Sequence, residues 1–244
     1  MKRIFPIITL LLLLVSCNKS YQDPPFGGMY GRVEKVTVTH HEPEVWHAGS
    51  KGTSVQFITA SAYDMEGHEI CSAVMDTIGR IKSEAENVFD GDICVRSVSK
   101  VNGHIAVQLV FRSQKKNTLE YDKTSLGKTV RMSVSKSSFG RTFKSVVSED
   151  GKVISISKIK TDKQGFPLEI SITENDVTTV ERNVFDERHN VIEKHKSTQG
   201  QEGEDITYIR YFDFDEHGNW REARAFNKNA LPIEVMLREI EYWE

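Results

Sequence analysis

Apolar and polar residues alternate along much of the chain, in short segments that end at turn residues. One face of one such segment is apolar and consists of Ile105, Val107, Leu109 and Phe111. Gln108 and Arg112 fall on the opposite face. Successive side chains of a strand point to opposite faces, so this period of two predicts strands with one buried face. Residues 206–214 repeat the pattern, although Arg210 interrupts the apolar face.

A turn motif separates many of these segments. An Asp, often preceded by an aromatic residue, is followed after two intervening residues by Gly or a substitute for it. The motif occurs at residues 63–67, 75–79, 161–165, 185–190 and 214–220. The Asp carboxylate can accept a hydrogen bond from the N–H two residues later, and Gly supplies the positive φ that a bulged hairpin requires. The pairs at 90–91, 102–103 and 150–151 predict tighter turns.

The spacing of the turns predicts the topology. Turns at 64, 76, 90, 102, 150 and 162 lie about 12 or 14 residues apart, which is the length of one strand and one turn. Successive strands should therefore pair in an antiparallel meander. We expect an all-β domain from residue 29 to 244, with roughly 14 to 16 strands in one large curved sheet or open barrel and at most one or two short helices.

Two segments also fit a helix. Val74, Ile78, Ile81, Ala85 and Val88 follow helical spacing, but Gly79 within the turn motif favours a hairpin there. The second segment covers residues 233–240, where Pro232 is suited to a first helical turn. The apolar pattern alone leaves both alternatives open.

The N-terminus has the layout of a secretory signal. Lys2 and Arg3 precede an apolar run from residue 4 to 15, which is too short to span a membrane as a helix. Residues 14–17, Leu-Val-Ser-Cys, resemble the lipobox of bacterial lipoproteins. The resemblance implies that residues 1–16 are removed and that Cys17 is acylated, so that several chains together give stable anchoring. The alternatives are a plain secretory signal with an incidental cysteine, or a buried N-terminal strand.

Residues 17–28 are polar and rich in Pro and Gly, which predicts a flexible tether of at most roughly 35–40 Å. In some bacterial lipoproteins an Asp after the acylated Cys favours retention in the inner membrane. The residue here is Asn18, so the resemblance favours a lipid anchor in the outer membrane, facing either the periplasm or the outside.

Charge excludes one class of partner. Without residues 1–16, which include Lys2 and Arg3, 228 residues remain, with 30 basic and 35 acidic side chains and a net charge of −5. Since no basic excess exists to meet phosphate charge, we expect no nucleic-acid partner. The mature part contains no second apolar stretch long enough to span a membrane as a helix.

The motif at 214–220, Phe-Asp-Glu-His-Gly-Asn-Trp, resembles the YD or RHS-type repeats of secreted bacterial proteins. The whole chain resembles a group of uncharacterised Bacteroidota lipoproteins. The shared features are the lipobox, a first strand that begins Gly31-Arg32-Val33, scattered Asp hairpins, and a last strand such as residues 238–242. Met75, Thr161 and His189 depart from the repeat pattern. The resemblance implies an all-β fold and lipid anchoring, and no known activity.

Histidines are the first candidates for chemistry. His40, His41 and His47 lie near Glu42 and Glu44, a mixture that can bind zinc when the side chains converge. On a strand, however, His40 and His41 point to opposite faces. We therefore expect no metal site. His68, His189 and His217 lie in or beside turns, and we interpret them as turn residues.

Other catalytic patterns are missing from the sequence. There is no Gly-x-Ser-x-Gly elbow, no phosphate-binding glycine loop and no dinucleotide fingerprint. Glu202, Glu204 and Asp205 lie in a Gly-rich loop, where a glycosidase pair would not be held rigidly. Cys71 has no basic neighbour in sequence to activate its thiol. We predict no catalytic residue and no cofactor.

Three tryptophans are candidates for a binding platform. The candidate platform for a glycan or peptide consists of Trp46, Trp220 and Trp243. Trp220, however, follows a hairpin turn, where an aromatic side chain usually packs on its cross-strand neighbour. We therefore interpret the tryptophans as core or cross-strand packing residues.

Cys71 and Cys94 are the two cysteines left after Cys17. An oxidising compartment would permit a disulfide between them. In the expected meander, one whole strand, at about residues 80–89, separates the two cysteines. Strands two apart are about 9–10 Å away, whereas a disulfide needs Cα atoms closer than about 7 Å. We therefore expect no disulfide, unless residues 74–88 leave the sheet as a helix.

These patterns favour a membrane-anchored, non-enzymatic binding module of the cell envelope, with a protein, peptide or glycan partner. The alternatives are a structural or assembly component of the envelope and, less favoured, a hydrolase that acts on envelope or host glycans. We expect no transmembrane barrel, because residues 131–136, Arg-Met-Ser-Val-Ser-Lys, lack a lipid-compatible apolar face. A contiguous exposed aromatic patch would favour binding over a structural role.

Overall fold

The computed structural model describes residues 29–43, 55–137 and 142–244. Every element whose bounds it describes is a strand. The sixteen strands are β1 (Val33–His41), β2 (Val55–Tyr63), β3 (Glu69–Met75), β4 (Ile81–Asp90), β5 (Ile93–Val101), β6 (His104–Lys115), β7 (Thr118–Ser125), β8 (Lys128–Lys136), β9 (Thr142–Glu149), β10 (Lys152–Thr161), β11 (Pro167–Glu174), β12 (Val177–Phe185), β13 (Val191–Thr198), β14 (Asp205–Phe214), β15 (Trp220–Asn227) and β16 (Pro232–Tyr242).

The strands form one antiparallel meander that closes into a barrel. Each strand pairs with its neighbours in sequence, and β1 also pairs with β16, so that Val38 lies opposite Thr59 on one side and Arg238 on the other. The predicted all-β meander is confirmed. The expected curved sheet or open barrel is corrected, because the sheet closes. Period-two patterns report one strand at a time, and therefore could not reveal that the first and last strands pair.

Both helical alternatives are wrong. Residues 74–88 run through the end of β3, a hairpin turn and most of β4, and residues 233–240 lie within β16. Val74 pairs with Thr59 and Ser83, and Arg238 pairs with Val38. In each segment, backbone hydrogen bonds to two neighbouring strands replace those that a helix would form within itself. No helix among the described residues is long and apolar enough to cross a membrane.

The barrel has two ends with different hairpins. We call the end at Val33 and Tyr242 the lower end, and the opposite end the upper end. Four upper hairpins have two-residue turns in which both residues take positive φ: 102–103, 126–127, 150–151 and 175–176. This conformation belongs to the type I′ turn, whose twist matches the twist of paired strands. The predicted tight turns at 102–103 and 150–151 are among them.

The Asp motif forms as predicted. At the lower end, the Asp64 carboxylate accepts hydrogen bonds from the N–H groups of Glu66 and His68, and the Gly67 N–H donates to the Asp64 carbonyl. The same bonds to the carboxylate recur at Asp76, Asp186 and Asp215. A further copy of the turn motif, not predicted from the sequence, lies at 227–231. There Asn227 replaces the Asp, and Ala230 takes the left-handed φ of 59°.

Side chains alternate between the interior and the outer wall. The largest hydrophobic cluster lies inside and comprises Ala85, Val107, Leu109, Tyr121, Met132 and Val147. Three smaller clusters centre on Ile159, Val36 and Ala223. A round barrel of sixteen strands leaves an aqueous channel, yet the exposed fraction of Leu109, Tyr121 and Ile159 is 0–1%. These inward-facing side chains are therefore packed against protein and not against a water-filled lumen.

Candidate functional site

The outer wall carries ion pairs between neighbouring strands. Lys35 pairs with Glu241 across β1 and β16 at 2.7 Å, and Lys100 pairs with Glu84 across β4 and β5 at 3.0 Å. Across β10, β11 and β12, Glu169 accepts contacts from Lys160 at 2.6 Å and Arg182 at 3.1 Å. These pairs lie along the strands and are partly exposed. Opposite charges facing each other stabilise neighbouring strands and need water around them to be inexpensive.

One part of the outer wall has a different composition. We call it the arginine–aromatic surface, and define it by three residues of β14 and three of β15: Tyr208, Arg210, Phe212, Glu222, Arg224 and Phe226. In the β14–β15 register Tyr208 lies opposite Phe226, Arg210 opposite Arg224, and Phe212 opposite Glu222. The exposed fraction is 39% for both Tyr208 and Phe212. Together with Phe226, these side chains bring three aromatic rings close to one another on the outer wall.

Each arginine of this surface lies over an aromatic ring on the diagonal. The Cζ atom of Arg210 is 5.3 Å from the ring centre of Phe226, and that of Arg224 is 4.9 Å from the ring centre of Phe212. Such cation–π contacts attract the guanidinium groups to the rings. Arg224 also donates to Glu222 at 2.6–2.7 Å. In the described part of the chain, no carboxylate pairs with Arg210.

This surface corrects an expectation from the alternating pattern. Ile206, Tyr208, Phe212 and Phe214 were expected to form the buried face of a strand. Instead, the alternate residues Ile209 and Tyr211 face the interior, where Ile209 is buried and the Tyr211 hydroxyl donates to the Val191 carbonyl at 2.8 Å. The signal in the sequence was Arg210, since an arginine in the middle of an apolar face fits the outer wall better than the interior.

The three histidines near the start do not form a described site. His40 stacks on Phe57 with ring centres 4.0 Å apart, and its Nδ1 lies 2.7 Å from a Glu234 carboxylate oxygen. His41 is buried, and burial, with a smaller effect of His40, lowers the pKa of its imidazole. His47 lies outside the described residues. Within the described ranges, no group of three or more His, Cys, Asp or Glu side chains could hold a metal ion.

The turn histidines do more than occupy turns. His68 is buried at the lower end, where its ring stacks on Phe89 at 4.4 Å and its Nδ1 lies 2.9 Å from Asp64. His189 takes the left-handed position of its turn, with a φ of 58°, and its ring stacks on Phe166 at 4.3 Å. These rings cover the lower end of the barrel. Their contacts are structural ones that a turn pattern alone does not predict.

A buried polar network joins the lower end to the N-terminal segment. The Asn219 amide donates to the Tyr30 carbonyl and to the Tyr242 hydroxyl, and its oxygen accepts from the Tyr30 N–H. The Tyr242 hydroxyl in turn donates to Asp215 at 2.5 Å. Burial, together with this bond to Asp215, raises the pKa of Tyr242 to about 12. The network fixes the chain before β1 against the turn before β15.

Arg238 lies inside the barrel beside this network. Its Nε donates to the Trp220 carbonyl at 2.8 Å, and its Cζ lies 3.8 Å from the centre of the indole ring. Burial lowers the pKa of Arg238 to about 10. Trp220 also contacts Tyr211, at 5.4 Å between ring centres. Trp220 therefore packs on its neighbours as expected and lines no exposed platform. The Trp243 N–H of the backbone donates to the Arg32 carbonyl, and Trp46 lies outside the described residues.

The two cysteines lie on β3 and β5, with β4 between them. Cys71 pairs in register with Glu86 of β4, and Cys94 pairs with Phe89 of the same strand. Cys71 is exposed, whereas Cys94 is buried and its Sγ donates to the Arg96 carbonyl at 3.3 Å. The intervening strand stays in the sheet, which is the topological premise of the expectation that no disulfide forms. Cys17, the expected lipid attachment residue, lies outside the described residues, as do the signal at 1–16 and the tether at 17–28.

The acidic loop after β13 contacts His195, which no sequence motif singles out. The His195 ring lies between Glu204 of that loop, at 3.1 Å, and Glu193, at 2.6 Å. The hydrogen bond to Glu204 has the largest effect on His195 and, together with the hydrogen bond to Glu193, raises the pKa of its imidazole. Among the described residues, the carboxylates of Glu202 and Asp205 in this loop are not arranged as a catalytic pair. Alternation along β13 places His195 beside Arg182 in register, which no local motif indicates.

Solved structures resemble this chain in architecture, and two of them are described as porin-like proteins. No protein-family model matches the chain, and no curated protein matches it. A porin-like protein from Bacteroides uniformis aligns with a TM-score of 0.48 and 10% identity, covering 87% of this chain and 98% of that one. A porin-like protein from Bacteroides vulgatus aligns with a TM-score of 0.42 and 12% identity, covering 86% and 98%. At these scores the proposed function depends on the residues of this chain.

Proposed function

We propose that this protein is a lipid-anchored, non-enzymatic binding module of the cell envelope, attached to the outer membrane through Cys17, with its barrel standing in water. The observation that carries the proposal is the arginine–aromatic surface, where two opposed arginines contact aromatic rings on the outer wall. Aromatic and arginine side chains dominate the energetics of binding surfaces. The site needs no cofactor and no metal.

The charges of the outer wall support a water-facing barrel. In a transmembrane barrel, Lys or Arg on the lipid face destabilises by about 2–4 kcal/mol at the midplane. Here Lys35, Lys100, Lys160 and Arg182 form ion pairs along the outer wall. Arg131 of β8 faces the same way and lies 3.9 Å from Asp122. A lipid anchor at Cys17 supplies attachment without burying these charges in hydrocarbon.

The packed interior supports a binding role over a conduit. Leu109, Tyr121 and Met132 fill the space inside β6, β7 and β8. Passage of solutes would require a polar, water-filled lumen. The outer wall is therefore the surface that we propose for function.

Attachment is tested by fractionation of cells that express the wild type or the Cys17→Ser variant. We expect the wild type in the outer-membrane fraction with an acylated N-terminal peptide, and the variant in the soluble fraction. Alkaline carbonate should not extract the wild type. A Cys17→Ser protein that also resists carbonate would show an embedded barrel and contradict the proposal.

Binding is tested by site-specific photo-cross-linking in the native envelope. A photoreactive amino acid replaces Phe212 on the arginine–aromatic surface or, as a matched control, Lys158 on the outer wall of β10. We expect cross-linked products from position 212 and none from position 158. Equal products from both positions would instead favour the alternative of a structural component that is enclosed on all sides.

A further inference from the structure

We infer that the arginine–aromatic surface binds a polysaccharide that carries carboxylate groups. The inference rests on the proposed binding function and names the chemical class of its ligand. Three features of the surface support it: an arginine pair in direct opposition, a cation–π contact of each guanidinium group with an aromatic ring, and the lack of a free strand edge among the described strands of the closed barrel.

Direct opposition of two arginines is unfavourable for the sheet itself. Arg210 and Arg224 lie opposite each other in the β14–β15 register, and like charges in this position destabilise a strand pair. Two other arginines of the outer wall have an acid partner, since Arg182 pairs with Glu169 and Arg112 pairs with Asp122. Within the opposed pair, Arg224 has such an acid, Glu222, whereas no carboxylate of the described residues pairs with Arg210. An anionic ligand would supply the missing negative charge beside Arg210.

The cation–π contact restrains the arginine before a carboxylate binds. The contact with Phe226 restricts the movement of the Arg210 guanidinium group, so less side-chain entropy is lost when a ligand binds. The N–H groups lie in the plane of the guanidinium group and point outward, so that they can donate two parallel bonds to one carboxylate. The aromatic contact is thus used for orientation and the N–H groups for recognition.

The closed barrel argues for a glycan over an extended peptide. A peptide that binds a sheet commonly adds a strand to its edge through backbone bonds. Among the described strands, each one is paired on both sides, because β1 also pairs with β16. Recognition must therefore come from side chains on a sheet face. Tyr208 and Phe212, each partly exposed beside an arginine, offer apolar surface to the C–H face of a sugar ring.

The outer wall contains a matched control for charge. Lys144 of β9 and Lys158 of β10 are also opposed in register and both face outward. No aromatic ring of the described residues lies under either lysine. A generic electrostatic attraction would use this pair as well as Arg210 and Arg224. Recognition by stacked guanidinium groups would not.

The experiment measures binding of the full-length protein, purified from the envelope in neutral detergent, to polygalacturonate, to neutral dextran and to poly-glutamate by affinity electrophoresis. The variants are Arg210→Gln, Arg210→Lys and the control Lys144→Gln/Lys158→Gln, and thermal unfolding verifies that each variant is folded. We expect retardation by polygalacturonate alone. Both Arg210 variants should bind about tenfold more weakly, equivalent to about 1.4 kcal/mol, and the lysine control should bind like the wild type.

The inference is overturned by no binding of polygalacturonate, by equal binding of dextran, by equal or stronger binding of poly-glutamate, or by equal weakening in the lysine control. Loss of polygalacturonate binding in Arg210→Gln but not in Arg210→Lys would reduce the claim to charge alone and would also contradict it. Cross-linking at position 212 separates the two proposals: if products form there but polygalacturonate does not bind, the proposed function stands and the ligand class is wrong.

Discussion

The two ends of the barrel use one turn motif, but the residue four positions after its Asp or Asn lies in opposite environments at the two ends. At the lower end this residue is buried in every described copy: His68, Phe166, Asn190 and Asn219. At the upper end, the copies at 76–80 and 227–231 expose it, as Arg80 and Leu231. The backbone bonds are the same at both ends. Local hydrogen bonding therefore sets the shape of the turn, while the neighbouring strands decide whether its side chain contributes to the core.

The upper end also leaves large apolar side chains in solvent. Ile78 and Leu126 lie at turn tips, and the exposed fraction of Leu126 is 88%. At the lower end, the His189 ring stacks on Phe166, and the Asn219 amide contacts the segment that contains Tyr30. We therefore expect the stability of the fold to depend on lower turns more than on upper ones.

The largest effect is expected at Asn219. The Asn219→Ala variant loses the bonds to Tyr30 and Tyr242 and leaves their polar groups buried. The free energy of unfolding should fall by about 3 kcal/mol, because several buried groups lose partners at once. Urea denaturation measures the change. Asn229→Ala, in an exposed upper turn, is the control and should stay within about 0.5 kcal/mol; equal losses would remove the distinction between the ends.

Asp64 at the lower end and Asp76 at the upper end accept the same backbone hydrogen bonds, so that their variants compare the two ends. Asp64 binds two N–H groups and the buried His68 ring, whereas Asp76 binds two N–H groups and the exposed Lys82. We expect Asp64→Ala to lower the free energy of unfolding by about 2 kcal/mol and Asp76→Ala by about 1 kcal/mol. Thermal or urea unfolding gives both values. A larger loss for Asp76→Ala would contradict the comparison.

Acid should act on the lower end through Asp215. Burial raises the pKa of Asp215, but hydrogen bonds from Tyr242 and from the N–H groups of Asn219 and His217 outweigh it, so the pKa lies below its usual value. The stabilisation is present above the ordinary pKa of about 3.9 and is lost as pH falls through the folded-state pKa. Stability measured against pH should fall more steeply below pH 4 (about the ordinary value) in the wild type than in Asp215→Asn. Parallel curves would exclude this role.

The smallest effect is expected at Leu126, and its sign is reversed. Leu126 takes a φ of 51° in a two-residue turn, a conformation that costs a bulky residue about 1–2 kcal/mol and that Asn accepts readily. Leu126→Asn should therefore raise the free energy of unfolding by about 0.5–1 kcal/mol. Differential scanning calorimetry detects such a change as a higher midpoint. A lower midpoint would show that the exposed leucine contributes to the fold.

The strands and turns of this fold follow from the sequence because they depend on neighbours. Asp64 and Gly67 contain all the chemistry of their hairpin, and Val107, Leu109 and Phe111 alternate as the structure requires. The pairing of β1 with β16 depends on residues separated by almost the whole chain, for which no local pattern exists. Only part of the candidate surface could be predicted from the sequence. Arg210 interrupts the apolar face of its segment, but its contact with Phe226 and its position opposite Arg224 depend on the register of β14 and β15.

The seam between β1 and β16 also has a consequence for how the protein is made. β1 forms at the beginning of the barrel, yet its second partner includes Val235 and Ile240, near the end of the chain. The ring cannot close until the last strand is available, and until then two strand edges are open to pairing with other chains. Contacts of such long sequence separation also slow folding. A chaperone that shields β1 until β16 is available would therefore increase the yield of closed barrels and reduce aggregation.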